Sequence, residues 1–239
     1  MKVLIMGESG SGKSTSFRTL DPKETFLIQA IPKELPFRGS AKMYQVKDKE
    51  KGIAGNKTTL FEDFDVYNLN TLPDTGAKIR STIDNLKIKR PEIKNVVIDD
   101  VQYIMAYEFM AKAKLTGYDK FTSMAQNFFA TLNAADQNAP SDFIVWILSH
   151  TEMEGDKYVM KTLGKLIKDK IVPEGIFSLV LRTEKFKGGD DELEYKFITR
   201  EAGSTVKSPM GMFKDQYIDN DLQLVRNTII HYYHEEENA

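Results

Sequence analysis

Near its start the chain reads GESGSGKST, residues 7–15, directly after the apolar run KVLIM. Gly7, Gly12, Lys13 and Ser14 fill the pattern G-x-x-x-x-G-K-[ST]. Glycines let a backbone wrap an anion with its N–H groups, and a helix N-terminus behind the loop adds positive potential. In such a loop Lys13 reaches the β- and γ-phosphates of a nucleotide and Ser14 ligates Mg²⁺. Glu8, Ser9, Gly10, Ser11 and Thr15 complete the candidate binding loop. Lys13 is expected in an exposed site, so that its loss removes charge neutralisation and not packing. A magnesium nucleotide also needs a carboxylate at a neighbouring strand end. The run NVVIDD, residues 95–100, supplies Asp99 for the metal. Asp100 has two readings, a water-activating acid beside the metal or an N-cap for the helix that follows. A further run, DFIVWILSH, ends in Ser149-His150-Thr151. A polar residue there, His150 above all, suits a γ-phosphate sensor, because ligands bind outside the carboxyl ends of strands in open α/β sheets.

These residues need a scaffold of strands and helices. Short apolar runs at 2–6, 25–30, 95–100 and 142–150 read as core strands. Helical patterns lie at 13–20, 74–90, 101–115 and 122–138, with a short one at 161–171. Residues 177–186 and 192–201 flank KGGDD, a hairpin signature. Residues 31–73 are irregular, with a hairpin flanking the basic tract KDKEKGIAGNK, and 221–234 form a tail helix. Strands that are apolar throughout and alternate with helices imply an α/β fold with a mostly parallel sheet covered on both faces. The expected division is a nucleotide-binding core over 1–214 and a C-terminal helical tail over 215–239.

Composition narrows the partners. The chain has 239 residues and a formal net charge of −2, so nucleic-acid binding would need a local patch or loop. Cysteine is absent, which excludes disulfides and fits a reducing cytoplasm. No apolar run reaches the ~18 residues of a membrane span, and the first residues do not read as a signal peptide. A cytoplasmic protein with no membrane partner is expected.

Motifs that are missing narrow the chemistry. The region 151–171 has no arginine, unlike the lid of a small-molecule kinase. There is no N/T-K-x-D base-recognition motif of a GTPase and no LSGGQ-type signature of a transporter. The segments IPKELPFRG (31–39), NVVIDDVQYIMAYEFM, GYDKF, ILSHTE, KTLGKLIKDKI, FSLVLRTE and TVKSPMGMF (205–213) occur in that order. In that order they resemble the phage-encoded AAA-type ATP-binding proteins of RecA-like fold, a group that includes recombinases that anneal single strands. The resemblance covers about residues 1–214.

The resemblance implies a P-loop, RecA-like core with a C-terminal β-hairpin and a Mg²⁺-dependent ATPase activity in phage recombination or replication, in the host cytoplasm. It implies single-stranded DNA as partner, a homo-oligomeric ring or filament with ATP between subunits, and a single-strand-binding protein as a further partner. Recombinases of this type carry a catalytic glutamate near the end of the second strand. This chain has Glu34 in the loop IQAIPKE there, which makes Glu34 second to Asp100 as the water-activating acid. A basic residue reaching ATP in the neighbouring subunit is also implied. Lys207, beside Ser208-Pro209, is its first candidate and Arg182 its second. DNA would lie along 47–57 (Lys47, Lys49, Lys51, Lys57) and 112–121 (Lys112, Lys114, Tyr118, Lys120, Phe121), where lysines neutralise phosphates and rings stack on bases. The competing class is a nucleotide-dependent assembly or switch protein that binds no DNA.

Overall fold

The computed structural model describes residues 1–48, 50, 54–134, 140–163, 171–189 and 192–234. Among them are nine strands in one mixed sheet: β1 (Lys2–Gly7), β2 (Thr25–Gln29), β3 (Lys57–Thr59), β4 (Asn95–Asp99), β5 (Ile144–Glu154), β6 (Lys157–Met160), β7 (Val180–Lys187), β8 (Leu193–Ile198) and β9 (Tyr217–Asp219). The order is β3-β2-β4-β5-β1-β7-β8-β9, with β6 paired to the outer part of β5. The six strands from β3 to β7 along this order run parallel. β8 and β9 continue the sheet antiparallel. The chain is thus α/β with a mostly parallel sheet, as its strand pattern implied.

The central strands read as unbroken apolar runs because both faces are covered. On β1, Leu4 and Met6 pack with Ile104, Phe128 and Ile83, while Val3 and Ile5 pack on the other face with Phe17, Val225 and Ile229. The first face carries α2 (Thr75–Lys89), α3 (Gln102–Ala111) and α4 (Asp119–Asn133). The second carries the turn after β1 and α5 (Leu222–His234). A short α1 (Ser40–Met43) follows the loop after β2. Asp74 starts α2 by accepting a hydrogen bond from the Ala77 N–H at 3.0 Å, a side-chain N-cap.

Several local expectations are corrected. The helix after the glycine-rich loop is a 3₁₀ helix, Ser14–Thr19. Its sequence STSFRT is rich in hydroxyls that bond locally, and Ser16 Oγ donates to the Lys13 carbonyl at 2.6 Å. Residues 31–73 contain no hairpin among the described residues. Lys57 instead begins β3, which lies parallel to β2. The helix expected to run to 115 stops at Ala111, and the next begins at Asp119, whose carboxylate suits a first turn. β5 runs on past His150 to Glu154 and turns back through Gly155, at φ 59°, into β6. Residues 215–239 open with the edge strand β9 before α5, and Leu222, Val225 and Ile229 are buried in the same core as β1. The short helix expected at 161–171 falls largely outside the described residues.

One polar contact lies at the centre of this core. Trp146 is fully buried on β5, and its indole N–H donates to Asn95 Oδ1 at 3.1 Å from the neighbouring β4. Asn95→Ala should strand that donor and cost about 1–3 kcal/mol. For a chain of this size that corresponds to roughly 2–4 °C of melting temperature per kcal/mol. Thermal unfolding followed by Trp146 fluorescence measures it, and an unchanged midpoint would refute the role of this pair.

Candidate functional site

The site is built where β1 ends. Gly7 lies opposite His150 on β5 and Thr183 on β7. A Cβ at Gly7 would come within 2.1 Å of Thr183 Oγ1, so only glycine fits. The chain then turns through Gly10 at φ 72° and Gly12 at φ 98°, left-handed conformations that favour glycine. Ser11 closes the loop internally, its hydroxyl donating to the Glu8 carbonyl at 2.7 Å. Lys13 arches back over it, and Nζ donates to the carbonyls of Gly7 at 2.9 Å and Glu8 at 2.7 Å. The expectation of an exposed Lys13 is therefore wrong: it is 5% exposed. Burial pushes its ammonium down from the ordinary 10.5 to about 8, against the attraction of Asp100 and Asp99.

β5 is inserted between β1 and β4, so Asp99 sits two strands from Gly7 and the loop must cross the end of β5 to meet it. Ser14 completes that crossing, and its Oγ donates to Asp99 Oδ1 at 2.9 Å. Asp99 is 1% exposed, and its other oxygen, Oδ2, has no hydrogen-bond partner. Burial, reinforced by the charge of Asp100, raises the Asp99 pKa. A buried carboxylate oxygen without a donor, next to a hydroxyl that could turn its lone pairs outward, fits a divalent cation. Among the described residues no group of three or more His, Cys, Asp or Glu converges as a metal cluster. A magnesium ion does not need one, because it is held by one or two carboxylates with water and phosphate oxygens.

Asp100 adopts φ 60°, rare for a residue with a side chain. This turns it off the strand and into the cleft. Its carboxylate pairs with Lys33 Nζ, accepts from Gln102 Nε2 at 3.4 Å and lies 3.4 Å from His150 Nε2. Val101 occupies the cap position of α3 and no side chain caps that helix. The N-cap reading of Asp100 is therefore excluded by its contacts. Burial would raise the Asp100 pKa, but hydrogen bonds from His150 and Lys33 outweigh it and hold the carboxyl well below the usual carboxylate range. His150 is fixed in turn, its backbone N–H donating to Gln102 Oε1 at 3.1 Å and its ring edge-on to Tyr103.

A cleft of about 450 Å³ opens among these groups at the carboxyl ends of the parallel strands. Ser9, Gly10, Gly12, Lys13, Ser14 and Thr15 form its floor, and Lys33, Asp100, Tyr103 and His150 one wall. Glu34 lies exposed on the same rim, and Tyr195 of β8 closes the other end. Asn220 backs the loop beside Tyr195, with neither atom of its buried amide hydrogen-bonded. Lys33, Gln102, Tyr195 and Asn220 had no sequence signal of their own. Lys33 stood inside IPKELPFRG, where its position after a core strand was the only available sign.

The remaining expected site residues lie elsewhere. The Lys207 backbone pairs with Val180 at the start of β7, opposite Leu4 and about 10 Å back along β1 from the loop. Lys207 does not line the cleft. Arg182 is buried in ion pairs with Glu184 at 2.9 Å and Glu201 at 3.0 Å, stacked on Tyr158. Of the two basic loops, Lys49 and Lys51 lie outside the described residues, Lys47 is exposed and Lys57 belongs to β3. In the second loop Lys112 is held by Glu108 at 2.6 Å and Ser123 at 2.8 Å, and Lys120 by the Leu115 carbonyl at 2.6 Å. Lys114 is exposed, Tyr118 is 87% exposed, and Phe121 is half-buried between Phe109 and Tyr118.

The lowered Lys13 pKa has two consequences of opposite sign. Between about 8 and the ordinary 10.5 the folded chain binds fewer protons than the unfolded one, so ligand-free stability should rise with pH across that window. The rise should be about 3–4 kcal/mol at most, taking about 1.4 kcal/mol per pH unit across that window, and be absent from Lys13→Met. Affinity for a polyphosphate should fall over the same window, because the ammonium it needs is being lost. Denaturant midpoints and nucleotide titrations at pH 7 to 10 test both, and a parallel response of the two would refute this role for Lys13. No protein-family model and no curated protein matches this chain.

Proposed function

We propose that this protein is a Mg²⁺-dependent ATPase of RecA-like fold that acts on single-stranded DNA in phage recombination or replication. The observation that carries the ATPase reading is the convergence of Lys13, Ser14 and Asp100 in one cleft, with Asp99 buried directly behind Ser14. The sheet's continuation past the loop through β7, β8 and β9 supports the RecA-like assignment. Lys13, already over the loop carbonyls, neutralises the β- and γ-phosphates. Ser14 and Asp99 would hold the metal, which would supply positive charge to the phosphate oxygens. Asp100, ionised throughout the neutral range and fixed by His150 and Gln102, accepts a hydrogen bond from the attacking water and orients it at the γ-phosphorus. His150, which lines the cleft 3.4 Å from the Asp100 carboxylate, would sense the γ-phosphate. Glu34, on the rim and free of these contacts, is the weaker candidate for the water.

The DNA and assembly parts rest on the resemblance. Support for a contact surface comes from 112–121, where Tyr118 and Lys114 project into solvent. Lys207 does not line its own cleft, so any contact with ATP would have to be made in a neighbour's. The internal engagement of Lys112 and Lys120, with the net charge of −2, favours the second reading, an ATP-dependent assembly or switch protein without DNA.

ATP turnover with and without single-stranded DNA at two salt concentrations separates the readings. The proposal expects stimulation that weakens with salt, abolished in Lys13→Ala, and at least 100-fold slower turnover with retained ATP binding in Asp100→Asn. Turnover indifferent to DNA supports the switch, and no ATP binding by the wild type refutes both. Replacing Lys114 and Tyr118 by alanine should cut single-strand affinity about tenfold, since a stacked base is worth about 1–3 kcal/mol. Lys207→Ala should bind ATP as a monomer and lose ATP-dependent assembly. Light scattering reads this, and wild-type assembly would exclude the role in trans.

A further inference from the structure

Among the described residues, Lys33 is the one lysine or arginine outside the glycine-rich loop that lines the cleft. It follows β2 in a short exposed segment, with a third of its side chain open to solvent. Its ammonium nevertheless turns inward, onto the two most buried acids of the site. It pairs with Asp100 Oδ2 and stands 3.7 Å from Asp99 Oδ2. That Asp99 oxygen is the one without a hydrogen-bond partner, on the carboxylate that Ser14 contacts from its other side. A point charge on a flexible stem therefore sits beside the oxygen that a divalent cation would take.

A metal ion and the Lys33 ammonium would compete for the same Asp99 oxygen. Asp99 and Asp100 bring two carboxyl groups into a nearly dry pocket, and Lys33 reaches both of them there. Lys13 is tied to the Gly7 and Glu8 carbonyls on the loop side. Lys33 is tied only to the acids and has solvent to swing through. A metal arriving at Asp99 repels Lys33 and replaces its charge, whereas Lys13 keeps its backbone ligands.

We propose that Lys33 is a tethered cation that occupies the acid pair when no metal nucleotide is bound, is displaced from it by the metal, and then binds the terminal phosphate of a nucleoside triphosphate. This rests on the cleft being a nucleotide site, and it adds what distinguishes triphosphate from diphosphate. Lys33 would be a positioning residue for the metal and a direct ligand for the terminal phosphate. The release of Asp100 from Lys33 would also leave that carboxylate held by His150 and Gln102 alone, free on one oxygen to receive water. The device makes metal binding and triphosphate binding mutually dependent.

Lys33→Met tests both halves, because it keeps the stem and removes the charge. Mn²⁺ titrated alone and followed by its electron spin resonance signal should bind the nucleotide-free variant at least tenfold more tightly than the wild type. Unchanged Mn²⁺ affinity would overturn the tethered cation. Fluorescent ATP and ADP titrated with Mg²⁺ should show that the variant loses at least tenfold of the wild-type preference for ATP, with ADP affinity held. A retained preference would overturn the phosphate role. Lys33→Arg should keep the preference in part, which a purely structural residue would not require. If the wild type binds neither nucleotide, the ATPase reading fails, and the Mn²⁺ measurement still decides the tethered cation separately.

Discussion

Two adjacent carboxylates are held almost without solvent at the end of β4, and the cleft is organised around making that tolerable. An unpaired ionised carboxylate in such a place would cost several kcal/mol. Asp99 responds by losing acidity, while Asp100 gains it through His150 and Lys33. Neighbouring acids whose surroundings push their pKa values apart can take different roles, one as a metal ligand and one as an ionised partner for water. Here the separation comes from geometry alone. Asp99 stays in the strand's extended conformation and faces Ser14, whereas Asp100 turns to φ 60° and faces the cleft.

The sheet order makes this possible. With β5 between β1 and β4, the loop and the acids are about 10 Å apart at their backbones, two strand spacings. Under the proposed function, that gap is where a phosphate chain and its metal would lie. His150, at the end of the inserted strand, fills the middle and touches Asp100.

The parts legible in sequence were those whose chemistry is local. Gly7, Gly12, Lys13 and Ser14 announce themselves because a backbone that wraps an anion needs those types at that spacing. NVVID announces a buried strand because both its faces are covered. Asp100 was ambiguous for a physical reason: a helix cap and a cleft acid occupy the same place in a sequence, and only the φ angle separates them. Lys33 and Gln102 were not legible, since a lysine after a strand or a glutamine in a helix's first turn is ordinary at the surface. Their importance arises from which acids the topology sets opposite them. The strand β9 was missed because three residues, YID, carry too little periodicity to read.

The same topology explains how a loop rich in glycine keeps one shape. Glycine lowers the strain of the turns at Gly10 and Gly12 but leaves the unfolded chain more entropy to lose. Rigid contacts on both sides offset this. Thr183 presses on Gly7 from β7, and a Cβ at Gly12 would lie 2.9 Å from the Tyr195 ring and 3.2 Å from Asn220. Arg18 Nη1 donates to the Asn220 carbonyl at 2.9 Å, and Thr19 Oγ1 to Asp221 Oδ1 at 2.7 Å, so the turn after the loop is fastened to the segment that leads into α5. The segment that leads into α5 thus belongs to the site mechanically. A binding loop preorganised in this way does not have to be ordered by its ligand, and more of the interaction with a phosphate chain remains as affinity.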